Sequence, residues 1–151
     1  GGSIAVTTPA QTKLTATART YNKTSSGTYG QYIPGVTPAQ AVGAADRALQ
    51  ILQLEQSSRL RTNIGLCETA GQSARIEVSV IVPDSIVTPV VTIDLQPNEF
   101  RQITLGPGGF GLDGVYNARV TVKVVSGNGR VTAYGSAIDV ITQDPTYVTA
   151  Q

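Results

Sequence analysis

"ARVTVKVVSGNGRVTAYGSAID", residues 118–139, decides how the rest of the chain is read. It lies across two apolar, Val- and Thr-rich runs, Tyr116–Ser126 and Arg130–Thr142, that read as strands. Between them, "SGNGR" is the strongest hairpin signal in the chain, because Asn-Gly readily adopts the positive φ that a type I′ turn requires. The stretch therefore predicts strand, tight turn, strand.

The same grammar extends upstream. Over Ala74–Val82, Ile76, Val78, Val80 and Val82 point inward against Arg75, Glu77 and Ser79. Over Arg59–Cys67, Leu60, Thr62, Ile64 and Leu66 alternate with Arg59, Arg61 and Asn63. Two more strands are expected over Val87–Leu95 and Phe100–Leu105, with turns at "VPDS" and "QPNE". The glycine-rich "GPGGFGLDG" then leads into Tyr116. This spacing predicts an all-β fold with one short helix: an antiparallel Greek-key or immunoglobulin-like sandwich of about seven strands plus an N-terminal strand. The helix is expected in "TPAQAVGAADRALQILQL", residues 37–54. Thr37 would cap it, Pro38 and Gln40 take the first and third positions, and Ala41, Ala45, Leu49 and Leu52 share a face. A single helix candidate argues against a parallel α/β fold.

Residues 13–21 alternate Leu14, Ala16, Ala18 and Thr20 with Thr15, Thr17, Arg19 and Tyr21, a strand followed by a loop over 22–37. The division expected is 1–30, N-terminal strand and exit turn; 31–58, loop and short helix; 59–151, sandwich body. "KLTATARTYNKTSSGTY" (13–29) and "RVTAYGSAIDVITQDPTY" (130–147) share one pattern, a basic residue, an alternating strand and a turn cluster ending in Thr-Tyr. Chance among Thr-rich strands explains the match, or else both ends repeat one closing-strand design.

Composition narrows the function classes. Of 151 residues, 40% are apolar, enough for a core, while only 14% are charged and the net charge is +1. That balance gives no electrostatic case for nucleic acid or an anionic membrane, and no run is long and apolar enough to span a bilayer. The chain has no His, Trp or Met. Without His, Ser-His-Asp and Cys-His catalysis and His-based zinc sites are excluded. The lone Cys67 cannot form an internal disulfide and reads as a small buried hydrophobe.

What chemistry remains is sparse. Glu68 and Glu77 form a carboxylate pair only if they face each other across a hairpin, and solvated strand positions explain both. "GPGGFG" lacks the Lys-Ser/Thr of a phosphate loop, so its glycines serve a wide turn with Phe110 plugging an end of the sandwich. Asp113, Asp139 and Asp144 are calcium candidates, set against Asp144-Pro145 as a turn starter and Asp139 bonding nearby backbone. Arg59, Arg61, Arg19, Arg75 and Arg101 form either a basic stripe or cross-strand pairs with Glu77, Glu55 or Glu99. Asn22 begins an Asn-Lys-Thr sequon.

"ARTYNKTSSGTYGQYIPG" (18–35), "RLRTNIGL" (59–66), "LQPNEFRQITL" (95–105) and "ARVTVKVVSGNGRVTAYGSAIDVITQDPTYV" (118–148) together resemble a module common in large, mostly uncharacterised exported bacterial proteins. That family shows a Tyr-Asn…Gly-Thr-x-Gly-Gln segment, an Arg-Thr-Asn-x-Gly strand and an Ala-Tyr…Asp…Thr-x-Asp-Pro ending. It usually has Asn where Glu68 stands and a polar residue at the position of Val140. The resemblance implies a β-sandwich in an exported, multi-module or surface protein, and it implies no catalytic function.

The expectation is a non-catalytic structural or assembly module, extracellular or on the cell surface, with no cofactor. Its partner would be another copy or a neighbouring module, met through strand edges. "SIAVTTPAQ" (3–11) reads as a short strand that either pairs within its own domain or reaches into a neighbour, with Ile4 and Val6 as the inserted side chains. The alternative is a glycan- or surface-ligand-binding module using Tyr29, Tyr32, Phe110 and Tyr116.

Overall fold

A computed structural model describes residues 2–9, 12–83 and 85–151. Its body is a sandwich of two four-stranded antiparallel sheets, and a two-stranded arm stands ahead of it. The arm is β1 (Thr17–Thr24) and β2 (Gly27–Pro34), in register from Thr17–Pro34 to Thr24–Gly27. After a 3-10 turn over Pro38–Gln40 come β3 (Leu49–Gln56), β4 (Leu60–Glu68), β5 (Ala74–Ile81), β6 (Val90–Leu95) and β7 (Phe100–Thr104). Then follow β8 (Val115–Gly127), β9 (Val131–Asp139) and β10 (Pro145–Thr149). One sheet runs β10-β9-β4-β7 and the other β3-β8-β5-β6. Strands distant in sequence thus lie side by side, as in a Greek-key sandwich.

The inward alternation read from sequence holds on β5, where Ile76, Val78 and Val80 are fully buried, and on β4, where Thr62, Ile64 and Leu66 are. They pack with Val120, Val122 and Val124 of β8 and with Leu54 and Leu95 into one core. Thr62 is satisfied there by donating its hydroxyl to the Glu55 carbonyl and its N–H to the Gln56 side chain.

Four expectations are corrected. The helix over 37–54 is reduced to the 3-10 turn. Gln40 does reach back, accepting from Thr37 N–H at 2.9 Å, but the Thr37 side chain caps no N–H, and Leu49–Gln56 is strand, so the sandwich begins before residue 59. The reason is a bulge. Gln53 has φ 57°, the β3–β8 register slips between Ile51 and Leu54, and the extra residue buries Leu49, Ile51 and Leu54 while leaving Leu52 exposed. A bulged strand with apolar residues three apart imitates a helical face.

The Asn-Gly hairpin is not one. β8 and β9 belong to opposite sheets, so residues 128–130 form an arch. Asn128 is not among the residues of positive φ, whereas Gly127 has φ +93°. The glycines serve close approach: a β-carbon at Gly127 would overlap the Ser73 carbonyl, and one at Gly129 would lie 2.5 Å from that of Gln72. Gly129 N–H donates to Ser73 O at 3.0 Å.

The loop expected over 22–37 contains β2, the second strand of the arm. Residues 3–9 of the expected N-terminal strand adopt no strand, and residues 10 and 11 lie outside the described residues, as does Asp84 of "VPDS". The likeness between the chain ends has a common outcome: both stretches fold as hairpins, β1–β2 and β9–β10, with each Thr-Tyr on the second strand. The two touch, since β2 lies against β10 and Gly30 N–H donates to Asp144 Oδ1 at 3.1 Å.

Candidate functional site

Three features stand apart from the core. The first is the arm with the segment before it. Every described residue from Gly2 to Thr28 is exposed, including Ile4 at 90%, Val6 at 57% and Tyr21 at 65% of full accessibility. β2 alone leans on the body, through Gly30 to Asp144 and through Ser136 Oγ–H donating to Gln31 Oε1 at 3.2 Å. Ser136, on the outer face of β9, is buried.

The second feature is the outer face of the β10-β9-β4-β7 sheet. Tyr147 on β10, Tyr134 on β9 and Phe100 on β7 line up there. The two tyrosine rings stack at 5.0 Å between centroids and 18°, and Phe100 lies 6.5 Å from Tyr134. Gly65 on β4 makes room, for a β-carbon there would overlap the Tyr134 ring. All three aromatic residues are half-buried, and Cys67, opposite Phe100 in the ladder, is too, not the fully buried hydrophobe expected. Burial raises the pKa of both tyrosines above 10.0, with the neighbouring Cys67 adding to it at Tyr134 and Tyr134 at Tyr147.

The third is Glu68, which the solvated-strand reading misplaced. It is 1% exposed at the end of β4. Oε1 accepts from Ala70 N–H (2.7 Å) and Arg130 N–H (3.1 Å), and Oε2 from Gly71 (2.9 Å), Gln72 (3.3 Å) and Asn98 (2.9 Å). Desolvation pushes its pKa up, but the backbone N–H groups of Asn98, Ala70, Arg130 and Gly71 outweigh this and hold it below 4.5. One carboxylate thus clasps the β4–β5, β6–β7 and β8–β9 connections. Glu77 lies exposed on β5 in the other sheet, so the two glutamates form no pair.

The residues singled out for ligand binding are dispersed. Tyr29 and Tyr32 sit on β2, three positions apart and so on opposite faces of the arm. Phe110, in the loop after β7, packs against the core, and Tyr116 is exposed on β8. Phe100, Tyr134 and Tyr147 went unnoticed as a set, although Gly65 within an alternating strand marks a close approach.

Of the acidic candidates, Asp113 and Asp139 bond locally and Asp144 reaches the arm. Asp113 Oδ1 accepts from Gly114 N–H, and Asp139 Oδ1 from Ile141 N–H and from the N–H and hydroxyl of Thr142. Asp144 takes Gly30, and among the described residues no three His, Cys, Asp or Glu side chains gather as metal ligands would. The arginines pair across short distances: Arg59 with Glu55 at 3.1 Å, Arg101 with Glu99 at 2.7 Å, Arg75 with Asp94 at 2.8 Å. Asn22 lies exposed on β1, and Ile4 and Val6 are exposed ahead of the arm.

No protein-family model matches the chain, and no curated protein matches it. Its fold is similar to a solved structure from Thermotoga maritima, entitled "Crystal Structure of Thermotoga maritima 1070". The TM-score is 0.54 at 17% identity, over 72% of this chain and 92% of that one. The likeness is one of fold. A β-sandwich of this kind is compatible with a structural or a ligand-binding module. Among the described residues no helix is long and apolar enough to cross a membrane.

Proposed function

We propose that this chain is a non-catalytic structural or assembly module of an exported protein, part of a fibre, surface layer or multi-domain stalk. It associates through strand edges with further copies or with a neighbouring module. The observation that carries this reading is the exposure of every described residue from Gly2 to Thr28. That region holds Ile4, Val6, Leu14 and Tyr21 in the open and adds nothing to the core. A hairpin alone is marginal in water, so an exposed arm gains most from a partner. The low charge, and the resemblance to modules of exported bacterial proteins, support an extracellular or cell-surface setting. Glu68 is assigned no catalytic role because five backbone donors occupy its oxygens. Sedimentation velocity over a wide concentration range, with electron microscopy of the same material, tests the reading. Growing oligomers or filaments are expected, and a strict monomer at the highest attainable concentration refutes it.

A second reading, a glycan- or surface-ligand-binding module, is favoured by the Tyr147–Tyr134–Phe100 stack in place of the dispersed rings named from sequence. Titrating oligosaccharides while following the tyrosine ring signals by NMR tests it. Saturable shifts confined to Tyr134 and Tyr147, lost in Tyr134→Ala, are expected; no shift disposes of it.

A further inference from the structure

The strand edges of this molecule are not equally protected. At one flank of the sandwich, β3 is tied to the chain beyond β10 by reciprocal bonds, Gln50 N–H to Gln151 O at 2.8 Å and Gln151 N–H to Gln50 O at 2.9 Å. That flank is closed. At the other flank, β7 and β6 end their sheets. β7 carries Arg101, held by Glu99, and the following loop folds back on it, with Phe110 N–H donating to Thr104 O at 3.1 Å. The outer strand of the arm, β1, carries Arg19 and Lys23. Charges and covering loops of this kind are how sheet edges avoid unwanted pairing.

β6 is the least protected: Asp94 is its one charge and prolines stand only at its ends. Val90-Val91-Thr92-Ile93 is uncharged, and its one acidic residue, Asp94, is taken by Arg75 of β5 through bonds of 2.8 and 3.0 Å. Val90 is 55% exposed, and the approach to the strand leaves Ile86 and Val87 open as well. Pro89 and Pro97 bracket β6, which limits an added strand to its six residues. The chain contains one exposed segment of matching character. Ser3–Thr8, "SIAVTT", is six residues long, uncharged, β-prone and closed by Pro9. Its Ile4 and Val6 are two positions apart and so share a face.

We infer that Ser3–Thr8 of a second copy adds to β6 as an edge strand, with Ile4 and Val6 extending the inward face on which Val91, Ile93 and Leu95 lie. Main-chain bonds hold it and alternate side chains select it. Donor and edge are different parts of the chain, so each added copy brings its own free β6, and growth is head-to-tail. This inference rests on the assembly reading and names its partner surface.

The test uses the full-length chain in two variants. Ile4→Asp/Val6→Asp disables the donor and keeps the edge; Val90→Lys/Thr92→Lys changes two exposed residues of the edge and keeps the donor. Sedimentation velocity should show concentration-dependent oligomers for the wild type, a monomer for each variant alone, and a 1:1 dimer that grows no further when the two are mixed. Unchanged melting curves show that the variants fold. Persistence of oligomers in either variant, or a mixture that stays monomeric, overturns the β6 assignment and leaves the assembly reading standing. A wild type that never associates overturns both.

Discussion

Replacing Glu68 by Gln keeps the side-chain length but removes one charge and one acceptor oxygen. Oε1 accepts two backbone N–H groups and Oε2 three. However the amide settles, its NH2 group faces at least two donors that then have no acceptor. A hydrogen bond to a charged acceptor contributes roughly 1.5–3 kcal/mol, so losing two predicts a destabilisation of about 3–6 kcal/mol. In a domain of this length each kcal/mol moves the midpoint by about 2–4 °C, which places the Glu68→Gln melt roughly 6–24 °C below wild type. Thermal unfolding followed by circular dichroism near neutral pH measures it directly. Acid supplies an independent check. Because the backbone donors hold the folded pKa below 4.5, the carboxylate's stabilisation is fully present above the unfolded value and is lost as pH falls through the folded one. The gap between the two proteins should therefore close progressively below pH 4.5. Coincident melts near neutral pH, or a gap that stays constant into strong acid, would refute the clasp.

Further outcomes follow from the same geometry. Gly65→Ala should push the Tyr134 ring off the sheet, at about 1–3 kcal/mol in urea titration and with a weakened near-ultraviolet tyrosine signal. Ile76→Ala, in the centre of the core, should lower stability by about 2–5 kcal/mol in the same assay. A calcium chelator should leave the melting temperature unchanged, since Asp113, Asp139 and Asp144 bond nearby backbone and do not converge; a fall on chelation would restore the ion.

The core strands were legible because burial on β5 follows strict alternation, and on β4 Thr62, Ile64 and Leu66 keep the same period although Gly65 is buried between them. Elsewhere a local signal pointed one way and tertiary structure another. The run around Leu49–Leu54 looked helical because the bulge at Gln53 shifts the buried set by one residue, which a fixed period cannot express. "SGNGR" carried turn chemistry, but turn chemistry does not say whether the two strands rejoin one sheet or part into two. Its glycines are required by Gln72 and Ser73 across the arch, contacts that no local pattern contains. Glu68 looked like any acidic residue at a strand end. Its burial becomes visible only when Asn98 and Arg130, about 30 and 60 positions away, are brought to it. The Phe100–Tyr134–Tyr147 stack escaped for the same reason, being assembled from three strands.

Under the assembly proposal, folding and association are separable in this chain. The clasped connections and the core lie within residues 41–151, while Ile4, Val6 and the whole of β1 are exposed. Only a few contacts, Gly30 to Asp144 and Gln31 to Ser136 among them, join the arm to the body. Substitutions before residue 29 should accordingly change how copies meet while the body melts as before, and substitutions at Glu68 or Gly65 should do the reverse. A tail variant that lowered the melting temperature of a monomeric sample as much as Ile76→Ala would show that the tail belongs to the core after all. The division between a self-sufficient sandwich and an outlying contact surface would then fail.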